Sequence, residues 1–239
     1  MDFIDLLFTA KWLLILVQFL IFVIVWLTIS ADKHRKNLEG KKIMVATAHP
    51  DDESMFFVPF IANFALNNEV HLLCLSKGDS EGLGKVREKE LATAGNLLKL
   101  KSSKVIDDPS LADGMQEDWS PQIVSKYLAQ EIANKSIDAV VTFDSYGVSG
   151  HPNHIAVSQA SDFLRGVEVY QLKSTSLPRK YIGILDLVFS LREKVVFLNL
   201  NLFLNWKAMA SHYSQFVWYR RLFVVFSRYT FINTFEKVK

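Results

Sequence analysis

Apolar and polar positions along this chain follow two regimes. Residues 13–29 read LLILVQFLIFVIVWLTI, an unbroken apolar run in which Gln18 is the only strongly polar member. With Trp12 it is long enough to cross a bilayer as one helix. Because every face of it is apolar, it does not read as a surface helix of a soluble domain. From Lys42 onward the pattern changes to short apolar stretches separated by longer segments of helical period. Residues 42–47, 69–76, 104–107 and 138–143 read as strands, and 54–66, 84–98 and 121–134 as helices. Leu91, Ala94 and Leu98 keep helical spacing, and Ser120-Pro121 is a helix-start signal. Strands and helices alternating on this scale predict an α/β fold, a Rossmann-like three-layer arrangement of parallel sheet and covering helices, with one N-terminal transmembrane helix.

The C-terminal third is less regular. Residues 182–204 are apolar enough to suggest a second span, but Asp186, Arg192, Glu193 and Lys194 interrupt them. Burying such charges in hydrocarbon costs several kcal/mol, so the segment reads as a loop and helix ending near 192 and a strand over 195–199. The tail 216–232 mixes Trp218, Tyr219 and several phenylalanines with Arg220, Arg221 and Arg228. It either packs on the domain, the favoured expectation, or lies at a lipid interface. The predicted organisation is an anchor over 1–30 with its span at about 12–29, a basic linker over 31–41, and an α/β domain over 42–239.

Charge refines this picture. A net charge of +2 and the lack of a basic stripe interleaved with aromatics give no case for nucleic acid. Lys33, His34, Arg35, Lys36, Lys41 and Lys42 follow the apolar run, whereas Asp2, Asp5 and Lys11 precede it. Positive flanks stay cytoplasmic, so the domain is expected to face the cytosol, and a short span suits the endoplasmic reticulum membrane. A cleavable signal peptide ending near Thr28 or Ser30 is the competing reading. The run is longer than a typical signal core and has only Lys11 as positive N-region. Cys74 is the single cysteine, which excludes an intrachain disulfide, and it sits in a predicted buried strand as a core residue.

Two polar clusters stand where predicted strands end. Ala48-His49-Pro50-Asp51-Asp52-Glu53 follows the first strand, and Gly150-His151-Pro152-Asn153-His154 comes a few residues after the fourth. Strand ends of an open parallel sheet meet in one crevice. Histidines and aspartates brought there by two loops predict a hydrolytic metal site, where about three protein ligands leave one position open for water. His49 and Asp52 can face one crevice from a loop entering a helix, with His154 arriving from the other strand end. Asp51 cannot be ligand and efficient base together, so two adjacent carboxylates divide the labour. The plainer alternative, in which residues 51–53 only cap a helix, does not call for two histidines elsewhere.

These motifs resemble the PIG-L family of zinc-dependent N-acetylglucosamine de-N-acetylases. Met55-Phe56-Phe57, Val141-Thr142-Phe143-Asp144, Gly147 to His151, Arg179-Lys180-Tyr181, Ser211-His212 and Ser214-Gln215 are similar to its eukaryotic branch, across residues 42–239. That branch acts on N-acetylglucosaminyl-phosphatidylinositol in glycosylphosphatidylinositol (GPI) anchor synthesis. The resemblance implies Zn2+ or another divalent metal held by His49, Asp52 and His154, with Asp51 as general base. It implies that His151 stabilises the oxyanion and assists departure of the amine, and that Arg87 grips substrate at the mouth of the site. For Arg87 a surface ion pair is the rival reading. Asp144 either orients a ligand imidazole through its second nitrogen or caps a loop. Glu53 is read as support for the metal loop, His71 as structural, and His212 and Gln215 receive no catalytic role.

Pro152 stiffens the loop that enters the His154 helix. The apolar anchor favours a lipid-linked substrate, since a tether raises enzyme concentration at a surface. Two rivals remain at this level. One is a deacetylase of another N-acetylglucosamine conjugate, such as a soluble thiol-sugar. The other is a catalytically silent membrane module, which has no need for Asp51 beside a full ligand set.

Overall fold

The computed structural model describes residues 3–239; the side chains of 3–4, 6–9 and 27–34 lie outside the described residues. Among the described residues seven strands form one sheet: β1 (Lys42–Thr47), β2 (Glu69–Cys74), β3 (Ser102–Val105), β4 (Ala139–Phe143), β5 (Glu168–Leu172), β6 (Val195–Leu198) and β7 (Ile232–Lys237). Their spatial order is β3-β2-β1-β4-β5-β7-β6. The first five pair in parallel, and β7 lies antiparallel between β5 and β6. The fold is therefore α/β with a mostly parallel sheet. β1 and β4 are buried along almost their whole length, which explains why they stand out as continuous apolar runs.

The helices are α1 (Phe3–Leu38), α2 (Asp52–Phe56), α3 (Val58–Phe64), α4 (Gly84–Leu97), α5 (Pro121–Lys135), α6 (Gly147–Gly150), α7 (Pro152–Ala160), α8 (Leu177–Tyr181), α9 (Asp186–Phe189), α10 (Leu202–Ser211) and α11 (Trp218–Phe226). The single helix expected over 54–66 is broken at Phe57. Pro59 in the first turn of α3 brings no amide hydrogen to continue α2, so the chain restarts there. The break is filled by aromatic packing: Phe60 meets Phe197 and Phe235 edge to face at 5.4 and 5.3 Å, and Phe64 meets Phe197 at 5.1 Å. Each such buried ring contributes about 2–3 kcal/mol of apolar burial.

α1 continues through the stretch expected to be a linker, as far as Leu38, which belongs to the main core. Its carbonyl accepts a hydrogen bond from Asn68 Nδ2 at 2.5 Å. Further up the helix, Val23 is fully buried against Leu187, Val196 and Ile232, so α1 lies on the α9–β6 edge instead of standing clear of the domain. The side chains of Lys33 and His34 of the expected basic flank lie outside the described residues. Among the described residues no helix is long and apolar enough to cross a membrane. The charged interruption at 182–204 has a structural use. Asp186, fully buried, accepts from Arg228 Nε at 2.5 Å and Arg179 Nε at 2.7 Å, a pairing that needs a protein interior, not lipid.

Candidate active site

Sheet order reverses direction at β1 and β4, and the loops leaving these two strands carry the site, as a topological switch point dictates. In the first loop the Asp52 carboxylate folds back on its own chain. Its Oδ2 accepts from the Ala48 amide at 3.0 Å and the His49 amide at 2.8 Å. This turn forces Asp51 to φ 124°, a backbone state that an L-residue adopts at a cost of about 1–3 kcal/mol. Beneath it Glu53 is fully buried; its Oε2 accepts from the Asp51 amide at 3.2 Å, while Oε1 lies 2.6 Å from His212 Nε2. The Glu53–His212 ion pair thus holds the strained loop from below. Burial opposes the His212 charge, but Glu53 and Asp51 outweigh it and raise its pKa.

The second loop is held by Asp144. Its Oδ1 accepts from the Gly147 amide at 3.0 Å and from Ser174 Oγ at 2.6 Å, and its Oδ2 accepts from the Ser174 amide at 2.6 Å. No imidazole is among these partners, so Asp144 caps the loop; the acceptor that orients His154 Nδ1 is the Gly147 carbonyl, at 3.0 Å. A Cβ at Gly147 would fall 2.7 Å from the His154 Cβ, and Gly147 has φ +61°, so only glycine allows this approach. His151 caps α7 and Pro152 opens it, which presents His151 and His154 on one side of the loop.

The histidines of the two loops converge. Ring centroids are 4.8 Å apart for His49–His151, 5.4 Å for His49–His154 and 4.8 Å for His151–His154. Among the described residues these three form a cluster whose potential ligand nitrogens all lie within 4.8 Å of one another. Asp52 Oδ1 is 3.2 Å from His154 Nε2, and its Oδ2 is 3.8 Å from His49 Nδ1. Four donors therefore meet: the expected His49, Asp52 and His154, with His151 as close as any of them. His154 Nε2 is buried and, although Asp52 Oδ1 is 3.2 Å away, makes no hydrogen bond of proper geometry; such a nitrogen fits a metal ligand whose other nitrogen is fixed by a carbonyl. The donor set of imidazole and carboxylate suits zinc and its divalent neighbours.

Electrostatics separate the roles. Burial opposes ionisation of Asp52, yet His154 and His49 hold its carboxyl well below the usual range. Burial lifts Asp51, and Arg220 and Arg87 pull it back only in part, so its pKa is raised. Burial, with repulsion from His49 and His154, lowers His151 to about 4. At neutral pH its resting imidazole is therefore neutral. The Asn153 amide donates to His151 Nδ1 at 3.3 Å, which places the proton on Nε2.

Arg87 is buried rather than on a solvated face, donating to the Gly78 carbonyl at 2.8 Å and the Pro50 carbonyl at 2.8 Å. Its guanidinium lies 3.4 Å from Asp113 and 3.6 Å from Asp51. Asp113 went unrecognised in the sequence, where it is one acid in a turn-like acidic stretch. Its Oδ1 lies 3.0 Å from His49 Nε2, and Asn153 Oδ1 lies 3.0 Å from the same nitrogen. Both acceptors require the proton on Nε2 and leave Nδ1 facing Asp52. Although burial opposes it, the hydrogen bond to His49 and the fields of His49 and Arg87 bring Asp113 down to about 2. Arg220 from α11 was also missed; it reaches Asp51 Oδ2 at 2.8 Å and Gln215 Oε1 at 2.7 Å. His49, Asp51, Asp52, Arg87, Asp113, His151, His154 and Arg220 border one cavity of about 1050 Å³.

Known proteins are similar to this chain in sequence and fold. A family profile described as "PIG-L: GlcNAc-PI de-N-acetylase" matches residues 44–162. The chain is 36% identical over 221 residues to "Probable N-acetylglucosaminyl-phosphatidylinositol de-N-acetylase" of Schizosaccharomyces pombe, covering 85% of this chain and 89% of the relative. It is 38% identical over 209 residues to "N-acetylglucosaminyl-phosphatidylinositol de-N-acetylase" of Bos taurus, covering 82% and 83%. Among solved structures, N,N'-diacetylchitobiose deacetylase from Pyrococcus horikoshii superposes with a TM-score of 0.61 at 17% identity, covering 83% of this chain and 84% of that one. That likeness speaks to fold alone. Identity of this level with relatives matched over most of their length, on top of the two metal-type motifs in place, makes the chain a member of the GlcNAc-PI de-N-acetylase (PIG-L) family.

Proposed function

We propose that the chain removes the acetyl group from N-acetylglucosaminyl-phosphatidylinositol by metal-assisted amide hydrolysis, releasing acetate and glucosaminyl-phosphatidylinositol for GPI-anchor synthesis. The observation that carries this is the convergence of His49, His151 and His154 with Asp52, next to a buried Asp51, on a single large cavity. The names of the relatives supply the substrate.

His49, Asp52 and His154 would hold a divalent ion such as zinc, with His151 within reach of the same point. When bound, the ion supplies Lewis acidity toward the acetamide carbonyl and lowers the pKa of water. Asp51 takes the proton from the attacking water; its raised pKa makes the carboxylate a better acceptor than an ordinary aspartate. The Nε2–H of neutral His151 donates a hydrogen bond to the carbonyl oxygen as negative charge develops there. Asp51 then returns its proton to the departing amine nitrogen, so the C–N bond breaks with the nitrogen leaving as a neutral amine. Asp113 and Asn153 keep the His49 proton on Nε2 throughout.

We infer a location in the endoplasmic reticulum membrane, with α1 as a single span over about 12–29 and the domain on the cytosolic side. Trp12, Leu13, Phe22 and Trp26 are all more than half exposed, which an apolar helix in water does not sustain. Arg35, Lys36, Lys41 and Lys42 flank its C-terminal end. Val23 packs on the α9–β6 edge, and exposed Leu185 and Phe189 lie on α9 and the turn before it, an apolar surface beside the same helix. Protease added to sealed microsomes is expected to digest the domain; a fully protected domain contradicts this orientation.

The substrate assignment is tested by acetate release from detergent-solubilised full chain offered N-acetylglucosaminyl-phosphatidylinositol and a soluble N-acetylglucosamine thiol conjugate. The lipid is expected to be turned over preferentially, and preference for the soluble conjugate would overturn the assignment.

A further inference from the structure

Three cations border the active-site cavity: Arg87, Lys180 and Arg220. The two arginines are committed. Arg87 binds backbone carbonyls and faces Asp51 and Asp113, and Arg220 binds Gln215 and Asp51. Lys180 differs from both. It is only 7% exposed, yet among the described residues its ammonium has no carboxylate and no hydrogen-bond acceptor. The nearest acid in sequence, Asp186, is already taken by Arg179 and Arg228. Burial pushes the Lys180 pKa below its ordinary value, with no compensating partner. The side chain is largely buried while its ammonium opens onto the cavity without a counter-charge, and this points to an anion that arrives with the ligand.

The surroundings indicate what that anion is attached to. Ring contacts lead from His154 to Phe56 at 5.9 Å, from Phe56 to Phe223 at 5.6 Å, and from Phe223 to Tyr181 at 6.2 Å. This places α8, with Lys180 next to Tyr181, across an aromatic wall from the imidazoles. Tyr181, Leu222 and Phe226 border the same cavity and are each about half exposed. The cavity thus offers a polar catalytic end, an isolated cation and an apolar rim. Taken together these match a sugar amide, a phosphate and hydrocarbon.

We propose that Lys180 is the anion subsite of the cavity and binds the phosphodiester of a lipid-linked substrate, whose acyl chains leave over Tyr181, Leu222 and Phe226. This rests on the substrate class proposed above. Lys180 is accordingly a specificity residue: it recognises the linkage between sugar and lipid and takes no part in breaking the amide. The ammonium–phosphate contact is charge-assisted, and losing a bond of that kind lowers affinity by about tenfold or more.

The test uses full chain in detergent, comparing wild type with Lys180→Met, Lys180→Gln and Lys180→Arg. Substrates are N-acetylglucosaminyl-phosphatidylinositol and phosphate-free N-acetylglucosaminyl-inositol. Met and Gln variants are expected to show KM raised about tenfold on the phosphodiester with kcat kept, and unchanged kcat/KM on the phosphate-free compound. Arg should restore most of the lost affinity. Glycerophosphoinositol should inhibit wild type better than the Met variant, and better than inorganic phosphate at equal concentration. Equal losses on both substrates in Met and Gln variants, or no loss on either, overturn the subsite. Inorganic phosphate competing as well as the diester also overturns it, by showing a general anion hole. A wild-type chain that acts only on the phosphate-free compound removes the substrate reading itself, a result distinct from failure of Lys180 alone.

Discussion

Gly147 shows how narrowly a single residue can set this site. Its carbonyl fixes the His154 tautomer, and its missing Cβ makes room for the His154 backbone and Cβ. Gly147→Ala adds a left-handed backbone penalty of about 1–2 kcal/mol and an overpacking cost of about 1–3 kcal/mol. The variant should melt at a lower temperature and bind divalent metal more weakly than wild type; an unchanged metal affinity would show that the His154 position tolerates a shift. Asp51 stands under comparable constraint, held in its strained turn by the buried Glu53–His212 pair. Sequence reading singled out His49, Asp51, Asp52, His151 and His154 because each falls in one of two short motifs at a predicted strand end. Asp113, Arg220 and the tie between Glu53 and His212 join residues up to 169 positions apart, counting from Asp51 to Arg220. No local pattern marks such partners.

At the level of elements, the loop that delivers Asp113 is anchored at its base by Asp108. Tyr127 on α5 donates to Asp108 Oδ2 at 2.6 Å, and Asp108 Oδ1 accepts from the Ser110 amide at 2.9 Å. The hydrogen bond from Tyr127 is the main reason Asp108 is lowered to about 2 from an ordinary 3.8. A depressed carboxyl adds stability above the unfolded-state value of 3.8 and loses it as pH falls through about 2. In Tyr127→Phe the Asp108 midpoint, followed by NMR, should move up toward 3.8, and the loop should loosen at a higher pH. A midpoint that stays near 2 would assign the shift to the Ser110 bonds instead. Elements themselves were legible in proportion to their burial. β1, β4, α4 and α5 announce themselves as apolar runs or helical periods. β5 (EVYQL) and β7 (INTFEK) do not, because polar residues in them have structural partners. Asn233 in β7, for one, is buried and bonds the Phe60 amide and the Phe56 carbonyl.

The whole molecule joins a polar cavity, an apolar rim and an apolar N-terminal helix in one body. Packing of Val23 on the α9–β6 edge could not be foreseen, since a uniformly apolar helix has no face that says which side meets protein. The central claim is that one divalent ion, held by His49, Asp52 and His154, enables Asp51 to direct water onto the acetamide. Metal content and acetate release measured on the same purified full chain, as wild type and Asp51→Asn, before and after chelation, test it most directly. About one equivalent of metal in both proteins is expected. Acetate release should fall by roughly a hundredfold or more in Asp51→Asn, vanish on chelation of wild type and return when metal is added back. Undiminished deacetylation by the metal-free wild type would contradict the account.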